Sequence, residues 1–244
     1  MNHLEKLKQF QEALAHYQVS DSGHKVLKDV NLVLLAAPTS AGRNTIIREL
    51  LKKGNYHYIV SDTTRKPRVN DGIMEQNGVE YWFRSEEEIL GELQKGDYLE
   101  AAIIHNQQVS GISLRELSKA RDEEKLAVTD IEMAGVDTII VAKPNTIVIF
   151  VIPPNFEEWI RRLKSRGDMA PVEYKRRLQS ALYEFDHALK EDYYLHVVND
   201  DFHETVKIID RVAKTGKIDP DLQAKNRQLT DKLRIATANH LKSL

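Results

Sequence analysis

Short apolar runs and helical stripes alternate along most of this chain. The runs at residues 33–35, 56–60, 98–104, 126–129, 146–152 and 195–198 predict strands, several of them buried on both faces. Between them, apolar residues recur at helical spacing. Ile46, Ile47, Leu50 and Leu51 predict a helix after the first strand, ended by Gly54. Ser85 with Glu88 forms a capping box that opens a helix to about residue 95, and Ser113 caps another to about 122. Asn155 with Glu158 opens a helix through 166, interrupted at 167–171 and continued to about 190; further helices are predicted at 203–214 and 219–242. At the start, Leu4, Leu7, Phe10, Leu14 and Tyr17 describe an amphipathic helix over 2–18, broken by Ser20, Asp21, Ser22 and Gly23. It is read as a helix covering an edge of the domain or as a partner-binding arm. Residues 69–78 are expected to be a polar loop, followed by an aromatic strand at 78–83. Strands alternating with helices over 31–214 predict a mainly parallel sheet covered on both faces. Residues 68–112 lack long helices, which predicts a smaller inserted lobe.

The stretch from Leu32 to Thr45 organises the chemistry. Strand, tight turn and helix follow without a gap, the layout of a phosphate-binding loop, whose pattern G-x-x-x-x-G-K-[ST] wraps phosphates in backbone N–H groups. The corresponding positions are Ala37, Gly42, Arg43 and Asn44, and only the glycine matches. Alone, that signal also fits a plain strand-to-helix turn. Downstream, Arg65, Lys66 and Arg68 put three cations within four residues behind a strand, which suits an oxyanion clamp as well as a solvated turn. Asp130 and Glu132 lie just past a buried strand, where ligands of open α/β sheets bind.

Composition narrows the field. With 244 residues, 41% hydrophobic, the chain can bury a sizeable core, and a net charge of -2 gives no global argument for nucleic acid or membrane. Any anion site must be local. The absence of cysteine removes disulfides and thiol catalysis and suits a reducing cytoplasm. No apolar window approaches a membrane span, and the nine histidines are scattered without metal-ligand spacing.

Ordered blocks then carry a family resemblance over about 31–214: Ser61-x-Thr-Thr-Arg65-Lys-Pro-Arg68, Gly78-Val-Glu-Tyr81-x-Phe83, Tyr98-Leu-Glu100, Asp130-Ile-Glu132-x-x-Gly135, Pro153-Pro154, Arg162-Leu-Lys-Ser-Arg166-Gly167, Arg177-Leu178 and Val198-Asn199-Asp200. In these the chain resembles the guanylate kinase family. The resemblance implies an α/β fold of the P-loop NTPase type, a three-layer sandwich with a mainly parallel sheet, a small inserted lobe for the nucleoside monophosphate (about 62–112) and a helical lid (about 162–180). Residues 1–30 would form an N-terminal helical arm and 215–244 a C-terminal helix. It implies phosphotransfer in purine nucleotide metabolism, ATP plus GMP to ADP plus GDP with Mg²⁺; the near-neutral charge and lack of a binding motif argue against nucleic acid as a partner, and the missing cysteine suits the cytoplasm. The ATP side would comprise Ala37, Pro38, Thr39, Ser40, Ala41, Gly42, Arg43, Asn44, Thr45 and Asn199. Arg65, Arg68 and Tyr81 would hold the GMP phosphate, Ser61 and Glu100 would read guanine, and Asp130 would also bind GMP. Arg43, Arg162, Arg166 and Arg177 would be the catalytic cations, with Asn44 and Asp130 toward the metal and Glu132 as the second acid of the pair.

The departures matter as much. The family's loop reads like GPSGAGKST, so Ala37 and Ser40 replace glycines, Arg43 a lysine and Asn44 a serine. A Cβ where the backbone needs positive φ costs of order 1 kcal/mol. Impairing one charge-assisted contact at Arg43 implies a roughly 5- to 150-fold loss in rate or affinity. The tyrosine expected near Ser110 is missing, and Gln107 to Ser113 replaces the family's NYYGTS. The rival readings are a catalytically inactive guanylate-kinase-like module that binds GMP or a phosphorylated protein partner, and another nucleotide-dependent phosphotransferase.

Overall fold

In the computed structural model, residues 4–70, 72–165, 167 and 169–244 are described. They divide into two compact units, one of Met1–Leu32, Asn55–Thr129 and Ala134–Thr146, the other of Val33–Gly54, Asp130–Met133 and Ile147–Leu244.

The first unit begins with two helices, α1 (Leu7–Ala15) and α2 (Asp21–Asp29). The serine and glycine cluster expected only to break a helix in fact starts one: the Ser20 side chain accepts from the Gly23 N–H at 3.1 Å, a helix N-cap. Strand β2 (Tyr56–Tyr58) runs parallel to β9 (Leu126–Asp130). A second, four-stranded sheet has the order β6-β3-β8-β7, built from β3 (Asp62–Thr63), β6 (Trp82–Phe83), β7 (Tyr98–Ile104) and β8 (Gln108–Ser113). The sequence pattern did not predict β8; it arises because His105 and Asn106, both at positive φ, turn the chain back so that β8 pairs antiparallel with β7. The polar loop at 69–78 likewise contains a small hairpin, β4 (Val69–Asn70) with β5 (Ile73–Met74). Helix α4 (Glu86–Gln94) carries both halves of the expected capping box. Helix α5 (Leu114–Asp122) follows Ser113, whose side chain makes no capping bond, contrary to the sequence reading. Helix α6 (Met133–Ala142), absent from the sequence prediction, buries Val136 and Ile139.

The second unit holds three parallel strands in the order β11-β10-β1: β1 (Leu32–Ala36), β10 (Ile147–Ile152) and β11 (Tyr194–Val198). Leu34, Ile149 and Phe150 are fully buried, as expected of strands covered on both faces. Helices α3 (Arg43–Leu51), α7 (Phe156–Lys164), α8 (Pro171–Lys190), α9 (Phe202–Thr215) and α10 (Pro220–Lys242) complete it. Helix α10 buries polar residues. Gln223 accepts from the His196 N–H at 2.9 Å and donates to the Tyr194 carbonyl at 2.7 Å, and Asn226 donates to the His196 carbonyl at 2.7 Å. These amides complete the backbone pairing of β11, an edge that would otherwise offer unpaired groups. Burial also holds the His196 imidazole down to about 4, so it is neutral at physiological pH.

Candidate functional site

In the second unit the turn from β1 into α3 is held from behind. The Trp159 indole donates to the Thr39 carbonyl at 2.9 Å, and the Asn199 amide donates to the Ala41 carbonyl at 2.7 Å. Asn199 is fixed in turn, its N–H donating to Ile152 at 2.7 Å. Gly42 sits at φ +101, and a Cβ there would lie 2.2 Å from the Asn199 side-chain nitrogen, so only glycine fits. The two substituted glycine positions differ. Ala37 and Pro38 precede the turn without a positive φ, whereas Ser40 has φ +66 and its buried hydroxyl has no hydrogen-bond partner. Only Ser40 meets the steric cost expected of both.

Arg43 opens α3, and its guanidinium reaches the Asp130 carboxylate at 2.8 Å and the Ile131 carbonyl at 3.3 Å. The fork geometry of arginine permits both contacts at once. Asn44, Thr45 and Glu132 are exposed. The Glu184 carboxyl of α8 lies in the electrostatic reach of this group. Burial pushes it up to about 8, partly opposed by Arg43 and reinforced by Glu132. Neither Glu184 nor Trp159 carries a sequence signal beyond its place on a helix, and the sequence reading missed both.

Arg162 donates to Glu158 at 2.7 Å and to the Asn199 carbonyl at 3.0 Å, which links α7 to the residue that seals the turn. Arg177 is paired with Glu173 at 2.7 Å. Arg166 lies outside the described residues.

In the first unit the basic stretch after β3 is built around one acid. Arg65, only 8% exposed, makes a bidentate pair with Glu75 at 2.5 and 2.8 Å and lies over the Tyr81 ring at 4.7 Å. Glu75 also accepts from the Arg68 N–H at 2.9 Å, so one carboxylate shapes the whole clamp and holds the Arg65 guanidinium above its usual range. The sequence reading missed Glu75, because an acid in a polar loop carries no periodicity. The Arg68 side chain is exposed and Ser61 half-buried.

Beneath lies a second buried acid. Asp62, 0% exposed, accepts from the Tyr98 hydroxyl at 2.6 Å and from Arg115 at 2.7 Å, with Arg84 at 3.5 Å. Burial raises its carboxyl despite these partners. Glu100, opposite Ile112 in the β7–β8 ladder, is pushed up to about 7 by burial, opposed by a hydrogen bond from the Ile112 backbone. In its ionised form it can accept paired N–H donors. Among the described residues, no group of three or more His, Cys, Asp or Glu side chains is arranged to hold a metal. No described helix is long and apolar enough to cross a membrane.

Comparison with known proteins bears on these features. The family model described as guanylate kinase matches residues 29–215. The guanylate kinase of Helicobacter pylori strain 26695 is 35% identical over 188 residues, 77% of this chain and 88% of that protein. That of Clostridium perfringens is 32% identical over 206 residues, 83% and 92% of the two chains. Guanylate kinase 1 of Oryza sativa subsp. japonica is 33% identical over 172 residues, and the match spans 44% of that longer protein and 69% of this chain. Among solved structures, the guanylate kinase of Anaplasma phagocytophilum is similar with a TM-score of 0.55 and 25% identity, covering 80% of this chain and 90% of that one.

Proposed function

The chain belongs to the guanylate kinase family, and from that premise we propose that it transfers the terminal phosphoryl group of ATP to GMP, giving ADP and GDP. The observation that carries this reading is Glu100. It is a half-buried carboxyl on β7, opposite Ile112 and held by that residue's backbone, and guanine presents two adjacent N–H groups that one carboxylate accepts together.

In the reaction a phosphate oxygen of GMP forms the new bond to the γ-phosphorus while the bond to the β–γ bridging oxygen breaks, and ADP leaves with that electron pair. Such transfer needs charge neutralisation and in-line positioning rather than covalent help from the protein. On the GMP side, the exposed Arg68 takes the phosphate, Arg65 adds its charge while its pair with Glu75 and the Tyr81 ring hold it in place, and Ser61 with Glu100 reads the base. On the ATP side, the backbone N–H groups at the start of α3 face the phosphates and Arg43 supplies the charge that lysine supplies in the family. Arg162, Arg166 and Arg177 add positive charge for the transferring group, and Asn199 keeps the loop in shape.

The exposed Asn44 and the Asp130 carboxylate, one oxygen of which is paired with Arg43, would be the hard-oxygen donors for Mg²⁺, which is ordinarily held by one or two such groups plus phosphates. The chemistry it would supply when bound with ATP is neutralisation of phosphate charge. A cytoplasmic location, among soluble nucleotides, belongs to the same reading.

The test is ADP release with ATP, GMP and Mg²⁺ across pH. We expect turnover that depends on GMP, with the KM for GMP rising as pH falls below about 7 and Glu100 takes up its proton. In Glu100→Gln the KM should be raised and this pH dependence lost. Absence of turnover with GMP binding retained would favour a binding module instead, and absence of GMP binding would overturn the reading altogether.

A further inference from the structure

Helix α1 lies before residue 29, where the family match begins, and α2 ends there, yet both are built into the first unit. Phe10 is fully buried in one cluster with Ile89, Leu93, Tyr98 and Val109, and Leu7, Leu14 and Tyr17 pack against it. The backbone N–H groups of Glu5 and Lys6 donate to the Glu86 carboxylate at 3.1 and 2.8 Å. Ser20 donates its N–H to the Gly96 carbonyl at 3.0 Å. Gly96, at φ +74, must be glycine, because a Cβ there would come within 2.6 Å of the Ser20 nitrogen.

The most directed of these contacts is made by Tyr17. Its hydroxyl accepts from the Tyr98 N–H at 2.7 Å and donates to the Tyr98 carbonyl, so one phenol brackets both backbone groups of a single strand residue. That residue lies where the β7–β8 ladder changes register, between Tyr98 and Glu100. A register shift leaves local backbone groups without their regular ladder partners and bends the strand, so an outside bracket there decides where the following residues point. Tyr98 is also held by its own hydroxyl, which donates to Asp62, the neighbour of Ser61 and Thr63. Burial pushes the Tyr17 hydroxyl up to about 12, so it keeps its proton, and its ability to donate, throughout the neutral range.

We propose that Tyr17 is a positioning residue for guanine nucleotide binding: by bracketing Tyr98 at the register shift it fixes the aim of the Glu100 carboxyl two residues along β7. This rests on the reading of Glu100 as the guanine-recognising acid. The segment before residue 29 thereby becomes part of the binding lobe, and its loss is felt in substrate recognition.

The experiment measures steady-state kinetics of the full chain carrying Tyr17→Phe, which removes only the hydroxyl, with Lys6→Ala as control on the same segment. Lys6 makes a partly exposed pair with Glu87 at 3.2 Å and should leave every parameter within twofold. For Tyr17→Phe we expect the KM for GMP to rise about five- to tenfold while kcat and the KM for ATP change less than twofold. In a Glu100→Gln background the same substitution should add less than twofold, because the group it aims has been removed. Tyr17→His serves as the second variant should the phenylalanine form not fold, with the same selective rise expected. An unchanged KM for GMP, equal rises for both substrates, or full additivity with Glu100→Gln would overturn the proposal while the wild-type enzyme still turns over GMP. A wild-type chain that neither binds nor turns over GMP would remove the kinase reading, and this proposal with it.

Discussion

Replacing Ser40 by glycine should stabilise the chain. The residue occupies the left-handed region at φ +66, where an L side chain costs about 1–2 kcal/mol because its Cβ crowds the following carbonyl. Its hydroxyl is buried and unpartnered, which costs a further amount of about 1–3 kcal/mol. Against these stands the greater freedom that glycine loses on folding, about 0.5–1 kcal/mol. With partial relief of each cost, the net gain is about 1–2 kcal/mol, and for a chain of this size that corresponds to a rise of about 2–8 °C in melting temperature. The assay is thermal melting of parent and Ser40→Gly at one pH and protein concentration, with urea unfolding alongside. The backbone N–H groups of the loop remain, so ATP binding should be retained. A variant that melts at or below the parent would show that Ser40 is not strained in the folded chain, and the steric argument about this loop would be refuted.

Asn199→Ala removes the donor to the Ala41 carbonyl and should cost about 1–3 kcal/mol in urea unfolding; a higher KM for ATP with that for GMP unchanged is the kinetic counterpart. Glu184 has a folded pKa raised to about 8, so it binds more protons in the folded than in the unfolded chain between about 4.5 and 8, and stability falls as pH rises through that window. Glu184→Gln should flatten the fall, and melting curves at pH 5 and pH 8 that respond identically in parent and variant would count against a buried carboxyl. Glu75→Gln weakens the bidentate pair and leaves a nearly buried guanidinium under-compensated, with about 1–3 kcal/mol lost, checked by the urea midpoint.

Much of this molecule is written in local pattern. The Ser85–Glu88 capping box, the Asn155 cap on α7 and the full extent of β7 follow from adjacent residues, since caps and alternation act within one or two turns of chain. The phosphate loop was legible from strand, turn and helix in succession, and the order of motif blocks gave the family. What the pattern did not show depends on partners far away in sequence. Strand β8 has no clean alternation and exists because β7 and β3 pair with it. Helix α10 buries Asn226 and Thr230 because they meet His196 of β11.

The site divides in the same way. The residue types that handle phosphate and guanine were visible in order along the chain, because that chemistry restricts which side chains serve. Their geometry was not. That Ser40 and not Ala37 is strained, that Glu75 shapes the arginine clamp, that Asn199 seals the turn at Ala41 and that Tyr17 grips β7 were decided by tertiary structure. The physical reason is that burial and hydrogen-bond closure depend on what lies within a few ångströms, and those neighbours come from segments tens of residues apart.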